Sequence, residues 1–424
     1  MNANSAISRN QYLLIIVAAL GYFVDIYDLV LFNVIKKASL EALNLVGADN
    51  EILLFNWQMG GMMVGGIFWG ILGDKKGRLS VLFGSILLYS LANIANAFVS
   101  PGNLSMYAAI RFVAGLGLAG ELGAGITLIV ETMSKEKRGY GTMIIVTFGA
   151  LGAVFAAFVG KQGEHFANMA NGLFSTRLVG WQVAYIVGGI LGLLLLMLRI
   201  GTIESVMFKA IEERTVSKGN FFSLFKSKEL FFKYLSCIVI GLPIWYIVGV
   251  LISLCVGITK EIGIEGAVTG EAIMYSYIGL SVGDLFSGLL SQLFKTRKKI
   301  ILGYLFASTA LVILYLFPFN KSLEWFYFMC FMLGAATGFW ALFVTVAAEQ
   351  FGTNIRSTVT NTVPNFVRGA VILISMSYKS LDSVFQSKVT GALIVGLVCL
   401  ALAFIGALSI KETFTKDLNY IEEC

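Results

Sequence analysis

Apolar residues in this chain fall into runs of about 18–29, divided by short polar stretches, and the pattern recurs twelve times. The runs lie near 12–36, 55–73, 80–99, 104–132, 140–160, 181–199, 233–258, 270–294, 299–318, 324–349, 357–378 and 388–410. Each is long enough to cross a hydrocarbon layer about 30 Å thick as a helix. In lipid the backbone must satisfy its own hydrogen bonds, so the twelve runs are expected to be transmembrane helices. The first run is too long for a signal-peptide core and is expected to stay as helix 1. The longest polar interval, near 200–232, is charged and mildly amphipathic and reads as a connector along the membrane surface.

The same pattern is written twice. Val64-Gly65-Gly66-Ile67-Phe68-Trp69-Gly70-Ile71-Leu72-Gly73-Asp74 is echoed in the second half by Val282-Gly283-Asp284-Leu285-Phe286-Ser287-Gly288-Leu289-Leu290-Ser291-Gln292. The same offset carries Glu131 to Glu349 and Arg138 to Arg356, without a gap. The expected domains are therefore a six-helix bundle over 1–199, the connector over 200–232 and a second six-helix bundle over 233–424. Parallel repeats of this kind are an architecture of secondary transporters, whose solutes bind between the halves near the midplane.

Composition agrees: 57% of residues are hydrophobic, 13% are charged, and mean hydropathy is +0.82. The net charge of +6 does not point to nucleic acid, because its distribution is topological. With the N-terminus inside, 21 of the 31 Lys and Arg residues fall on the inner side, eight outside and two within helices. That asymmetry places both termini in the cytoplasm. The short loops and residue usage suit a bacterial inner membrane. Five scattered cysteines have no metal-ligand spacing, and the one histidine, His165, lies in an outer loop. No metal, cofactor or nucleophile–base set is expected, so an enzyme is not. Gly115-x-Gly117-x-x-Gly120 fits a nucleotide loop by letter, but it lies inside a membrane run with no strand before it.

The inner end of helix 2 reads Gly70-Ile-Leu-Gly-Asp74-Lys75-Lys76-Gly77-Arg78. This resembles the signature of the major facilitator superfamily, and helix count, topology and repeat extend the resemblance over the whole chain. It implies a gate in which Gly70, Asp74, Lys75, Gly77 and Arg78 act with Glu131, Arg138, Glu349 and Arg356. Asp74 is expected to pair with Arg138 and with helix-terminal amides. The second copy is degenerate, with Gln292 at the Asp position and Lys295 at the Gly position, so the gate is expected to be asymmetric.

Charges at membrane depth are costly and mark function. Asp25 and Asp28 lie mid-helix 1, and their spacing of three places them on one face. Acid-x-aromatic-Asp here resembles the metabolite:proton, phosphate:proton and aromatic-acid:proton symporter branches. Arg111-Phe-Val-Ala-Gly115-Leu-Gly117-Leu-Ala119-Gly120-Glu121 and Glu349-Gln-Phe-Gly-Thr353-Asn-Ile-Arg356 resemble the metabolite:proton branch most. Asp28 and Arg111 each lie roughly 10–12 Å below the outer edge, so Arg111 is expected to pair with Asp28 or Asp25. Asp25, Asp28, Arg111 and Glu121 are the proton-coupling candidates. Asp284 ranks last as a carrier and is expected to pair with a helix 11 group.

Arg368 sits near mid-membrane in helix 11, where a guanidinium suits a carboxylate ligand or a protein acid such as Asp284. Tyr27, Trp245, Tyr246, Trp340, Asn365 and Arg368 are the substrate-binding candidates. The expected fold is an all-α membrane protein, with twelve helices in two pseudo-repeats. The expected function is proton-coupled symport of a small polar metabolite, a carboxylate or zwitterion such as an amino acid or organic acid. The alternatives are a nucleoside or other neutral-solute symporter, or a proton-antiport exporter. The expected partners are a solute and the bilayer, with the protein a monomer and the proton its coupling ion.

Overall fold

A computed structural model of the chain describes residues 9–133, 138–198, 219–414, 416 and 420–422. All regular elements among them are helical. Six spans form the first half: span 1 (Arg9–Ala42), span 2 (Ala48–Lys76), span 3 (Arg78–Asn96), span 4 (Leu104–Leu118 and Glu121–Thr132), span 5 (Arg138–Lys161) and span 6 (Gly180–Leu198). A short outer helix, Gly163–Phe174, joins the last two. The second half holds span 7 (Lys228–Tyr246, a π-helical turn Ile247–Ile252, and Cys255–Ile262), span 8 (Thr269–Leu293) and span 9 (Lys298–Leu316). Span 10 (Leu323–Thr337 and Trp340–Gln350), span 11 (Arg356–Phe385) and span 12 (Lys388–Ser409) complete it. Most of the expected connector lies outside the described residues. Span 7 begins earlier than its apolar run, at Lys228, because Ser227 caps it by accepting from the Leu230 amide at 3.1 Å.

Ten of these spans are long and apolar enough to cross a bilayer. Span 3 contains only a shorter apolar helix, Ser80–Asn96, and span 11 is too polar to stand out by hydropathy. Span 11 tolerates its polarity because Arg356 to Asn365 are all buried, packed largely against span 2 of the other half. Span 5 runs along span 8 in the equivalent way. These two seams join the halves. Glycine makes the first one tight: a Cβ at Gly70 would lie 2.9 Å from Thr358 Cα, and one at Gly73 would lie 2.4 Å from Ser357 Oγ.

The internal symmetry extends to irregularities that hydropathy could not show. Spans 4 and 10, expected to be unbroken, each break after a 15-residue helix, at Ala119-Gly120 and at Gly338-Phe339. Backbone groups freed by a break must find other partners in lipid. Leu116 O accepts from the Trp69 indole at 2.7 Å, Ala336 O accepts from Ser308 at 3.1 Å, and the Ala341 amide donates to Asp284 at 2.9 Å. Asp284 therefore caps the second segment of span 10 instead of pairing with span 11. Cross-half hydroxyl contacts obey the repeat offset as well: Thr127 meets Thr360 at 2.6 Å and Thr345 meets Thr142 at 3.0 Å.

Candidate functional site

At the inner end of the first seam, Asp74 accepts from the Ser357 amide at 3.1 Å, the Thr358 amide at 2.8 Å and the Thr358 hydroxyl at 2.6 Å. A carboxylate thus caps the N-terminus of span 11, where unpaired N–H groups and the helix dipole favour negative charge. The expected Arg138 partner cannot be placed, because its side chain and that of Arg78 lie outside the described residues. The described lock crosses to the other half. Lys75 is exposed and takes no part in it. Gly77 adopts φ +94°, a conformation that favours glycine, and at its counterpart Lys295 holds φ +51°. Both repeats therefore turn through positive φ.

Beside this lock, Arg356 pairs with Glu131 across the halves at 3.5 Å, and both are buried. Glu349 receives Arg297 of its own half at 3.1 Å and the Thr413 hydroxyl at 2.6 Å. In the second seam a neutral Gln292 stands where the first has Asp74, against Gly139 with the Arg297 guanidinium beside it. At this position the two seams differ in charge.

At the membrane midplane, Arg368 Nη2 lies 3.5 Å from Asp25 Oδ2, so spans 1 and 11 hold a cross-half ion pair. Its guanidinium also donates to Asn365 Oδ1 at 3.3 Å and sits 5.6 Å from the Trp340 ring centre. Asn365 is fixed in turn by donating to Ala119 O at 2.8 Å, at the break in span 4. A cavity of about 20 Å³ adjoins the pair, walled by Tyr22, Trp245, Tyr277, Trp340 and aliphatic side chains. That is room for about one water. The molecule is closed around its centre.

Two expectations for this region are corrected, the ion pair of Arg111 and the orientation of Tyr27 and Tyr246. Arg111 makes no direct ion pair with Asp25 or Asp28, although it is near enough to Asp28 to interact electrostatically; it donates to Gln58 and lies 4.6 Å above the Phe32 ring. Asp25 and Asp28 share one face of span 1 and interact electrostatically, but they meet different neighbours. Three residues are about 300° of helix, so the carboxyls point about 60° apart. Asp25 faces Arg368, whereas Asp28 lies against Gly188 of span 6 and beside Asn93 of span 3. Tyr27 and Tyr246 point away from the cavity, donating to Ala184 O at 2.8 Å and Ala392 O at 2.7 Å. Glu121 opens the second segment of span 4, buried and near enough to Asp25 to interact electrostatically. Sequence reasoning missed Tyr22 and Tyr277. Tyr22 precedes Asp25 by three residues and was findable; no sequence signal singles out Tyr277.

At the end opposite the Asp74 lock, the one the charge asymmetry assigns to the outside, a cavity of about 740 Å³ lies between the halves, lined by the ends of spans 1, 2, 7, 8, 11 and 12. Among the described residues no cluster could hold a metal ion.

The sequence profile of the Major Facilitator Superfamily matches residues 18–376. The niacin transporter NiaP of Acinetobacter baylyi is 31% identical over 187 residues, which is 44% of this chain and 39% of that protein. The sialic acid transporter NanX of Escherichia coli is 26% identical over 295 residues, 68% of this chain and 66% of that protein. These matches thus span less than two thirds of either relative. The solved proton:xylose symporter XylE superposes with a TM-score of 0.71 at 17% identity, covering 98% of both chains, which shows the shared fold. The chain is an integral membrane protein and belongs to the major facilitator superfamily.

Proposed function

We propose that the chain is a proton-coupled symporter of a small organic carboxylate or zwitterion, working by alternating access. The observation that carries this reading is the Asp25–Arg368 pair, which bridges the two halves within an aromatic-walled pocket. A guanidinium takes a carboxylate in two parallel hydrogen bonds, and Asp25 occupies that place in the closed molecule. When Asp25 binds a proton it loses its hold on Arg368, and the solute's carboxylate replaces it. Proton and solute therefore enter together, and deprotonation of Asp25 on the inner side displaces the solute. Asp28 and Glu121 are the further proton carriers, and Tyr22, Trp245, Tyr277 and Trp340 wall the solute's apolar part. Niacin and sialic acid, named for two relatives, both carry a carboxylate. The proton is the only coupling ion in this scheme. Both termini face the cytoplasm of a bacterial inner membrane, and the working unit is a monomer.

Thermal stabilisation of the purified protein by nicotinate, benzoate, amino acids and nucleosides, at acidic and neutral pH, tests this reading. A bound solute stabilises the folded state by mass action. A carboxylate is expected to raise the melting temperature, and Arg368→Gln to weaken its binding by about 10- to 100-fold, the loss of a charged hydrogen bond. Asp25→Asn should keep binding but lose its pH dependence. A neutral nucleoside that stabilises wild type and Arg368→Gln equally would sink the carboxylate reading.

A further inference from the structure

Lys36, Lys37, Lys379 and Lys388 line the outer cavity; Lys36 is paired with Glu51, Lys379 with Asp49 and Lys388 with Asp382, and among the described residues Lys37 adds an unbalanced positive charge. The cavity lies on the route inward: Lys36 is eleven residues beyond Asp25 on span 1, so roughly 16 Å outward. Ser375 is seven residues beyond Arg368 on span 11, roughly 10 Å outward. A narrower part of the cavity is floored by Asn33, Lys36, Glu51, Phe55, Ser253 and Ser375, against the π-helical turn of span 7. Lys36 is unlike the rim lysines. Its side chain is only 15% exposed, and its ammonium lies 2.9 Å from Glu51. The floor therefore repeats the pattern of the midplane, a sheltered cation held by one acid and flanked by amide and hydroxyl groups.

We propose that the outer cavity is a first binding station for the transported carboxylate, with Lys36 as the cation that receives it and Lys37 as the charge at the rim that draws it in. The inference rests on the carboxylate reading and adds a second site to it. A basic cleft with low-dielectric walls concentrates anions. Lys36 then exchanges Glu51 for the solute, as Arg368 exchanges Asp25 deeper in. Because Lys36 and Arg368 stand on different spans and in different halves, each can be removed separately.

The test uses the full chain carrying Ser375→Cys and Cys424→Ser; the remaining cysteines, Cys237, Cys255, Cys330 and Cys399, are all buried. Labelling from outside is timed with an anionic reagent, sulfonatoethyl methanethiosulfonate, and a cationic one, trimethylammonioethyl methanethiosulfonate. Rates are normalised to those with a free thiol. The anionic reagent is expected to react about tenfold faster, with the ratio falling towards one in Lys36→Gln and at high salt. Nicotinate or benzoate should slow labelling, and should still do so when Arg368→Gln is added. Labelling indifferent to reagent charge overturns the station and leaves the central site untouched. A charge preference whose protection vanishes with Arg368→Gln also overturns it, because the carboxylate then binds only at the centre. If Arg368→Gln leaves stabilisation by the carboxylate intact, the central reading fails, and protection at Ser375→Cys still reports on the station independently.

Discussion

At its inner end the seam between the halves is closed by Asp74, Glu131 and Arg356, none more than 3% exposed. At its outer end the ties are Lys379 to Asp49 and Lys161 to Glu271, at 2.5 and 3.6 Å, with side chains 41–87% exposed. The two lysines are repeat mates, standing at equivalent places on spans 11 and 5. Each meets an acid in the first turn of the opposing span, 2 or 8. The same topological contact is thus made with dry, helix-capping carboxylates on one side and with hydrated surface pairs on the other. Desolvated charge cannot be abandoned cheaply, whereas an exposed pair exchanges for water at little cost. The difference teaches which end yields first: the outer end can open while the inner end stays shut.

The largest expected effect is Arg356→Gln, which leaves Glu131 buried opposite a neutral side chain. It should cost about 3–5 kcal/mol and markedly lower the melting temperature, and the exchange Glu131→Arg with Arg356→Glu should recover part of the loss. Next is Asp74→Ala, which strips the cap from span 11. A loss of about 2–3 kcal/mol is expected, with a rise in labelling of inner-face cysteines by a membrane-permeant reagent. Gly70→Val tests the same closure sterically, because its side chain would meet the Thr358 backbone. It should abolish solute uptake, while Gly60→Ala, whose Cβ meets nothing within 4 Å, should leave uptake intact.

A pH effect follows at the inner face. Glu412 is partly buried, which opposes its charge, yet donors from the Thr296 hydroxyl and the Arg297, Phe414 and Lys298 amides outweigh burial and hold its pKa below the usual 4.5. A depressed carboxylate contributes stability above its ordinary pKa and loses it as pH falls through the folded value. The segment after span 12 should therefore become protease-sensitive only below about pH 4.5, and Glu412→Gln should make it sensitive at neutral pH. The smallest effect is expected from Lys161→Gln: less than about 1 kcal/mol, vanishing in high salt. A large, salt-resistant change there would break the contrast between the two ends.

Apolar runs with their polar boundaries placed twelve spans, ten of which stand out by hydropathy, and letter identity located the repeat, because span length and glycine stripes are properties of single segments. What escaped the sequence was direction around each helix axis. Depth follows from the helical rise of about 1.5 Å per residue, so Asp28 and Arg111 could be levelled. Azimuth depends on which neighbour packs where. A difference of about 60° around span 1 turns Asp25 towards the second half and Asp28 into the interior of the first. Asp74 was expected to be a gate residue, but its receptor is the start of span 11, a partnership between residues 283 apart that spacing cannot reveal. The breaks in spans 4 and 10 were hidden for a related reason. They are held by Trp69, Ser308 and Asp284 from other spans, and within the broken helices only one glycine in each, Gly120 and its repeat mate Gly338, marks the place.

Gln292 stands where the repeat would place a second Asp74, and its amide nitrogen has no hydrogen-bond partner among the described residues. The 2–11 seam is therefore bolted by charge and the 5–8 seam merely shut. Two unequal fastenings turn symmetric rocking into the swing of a door. Spans 2 and 11 form its more firmly fastened edge, and spans 5 and 8 the looser one.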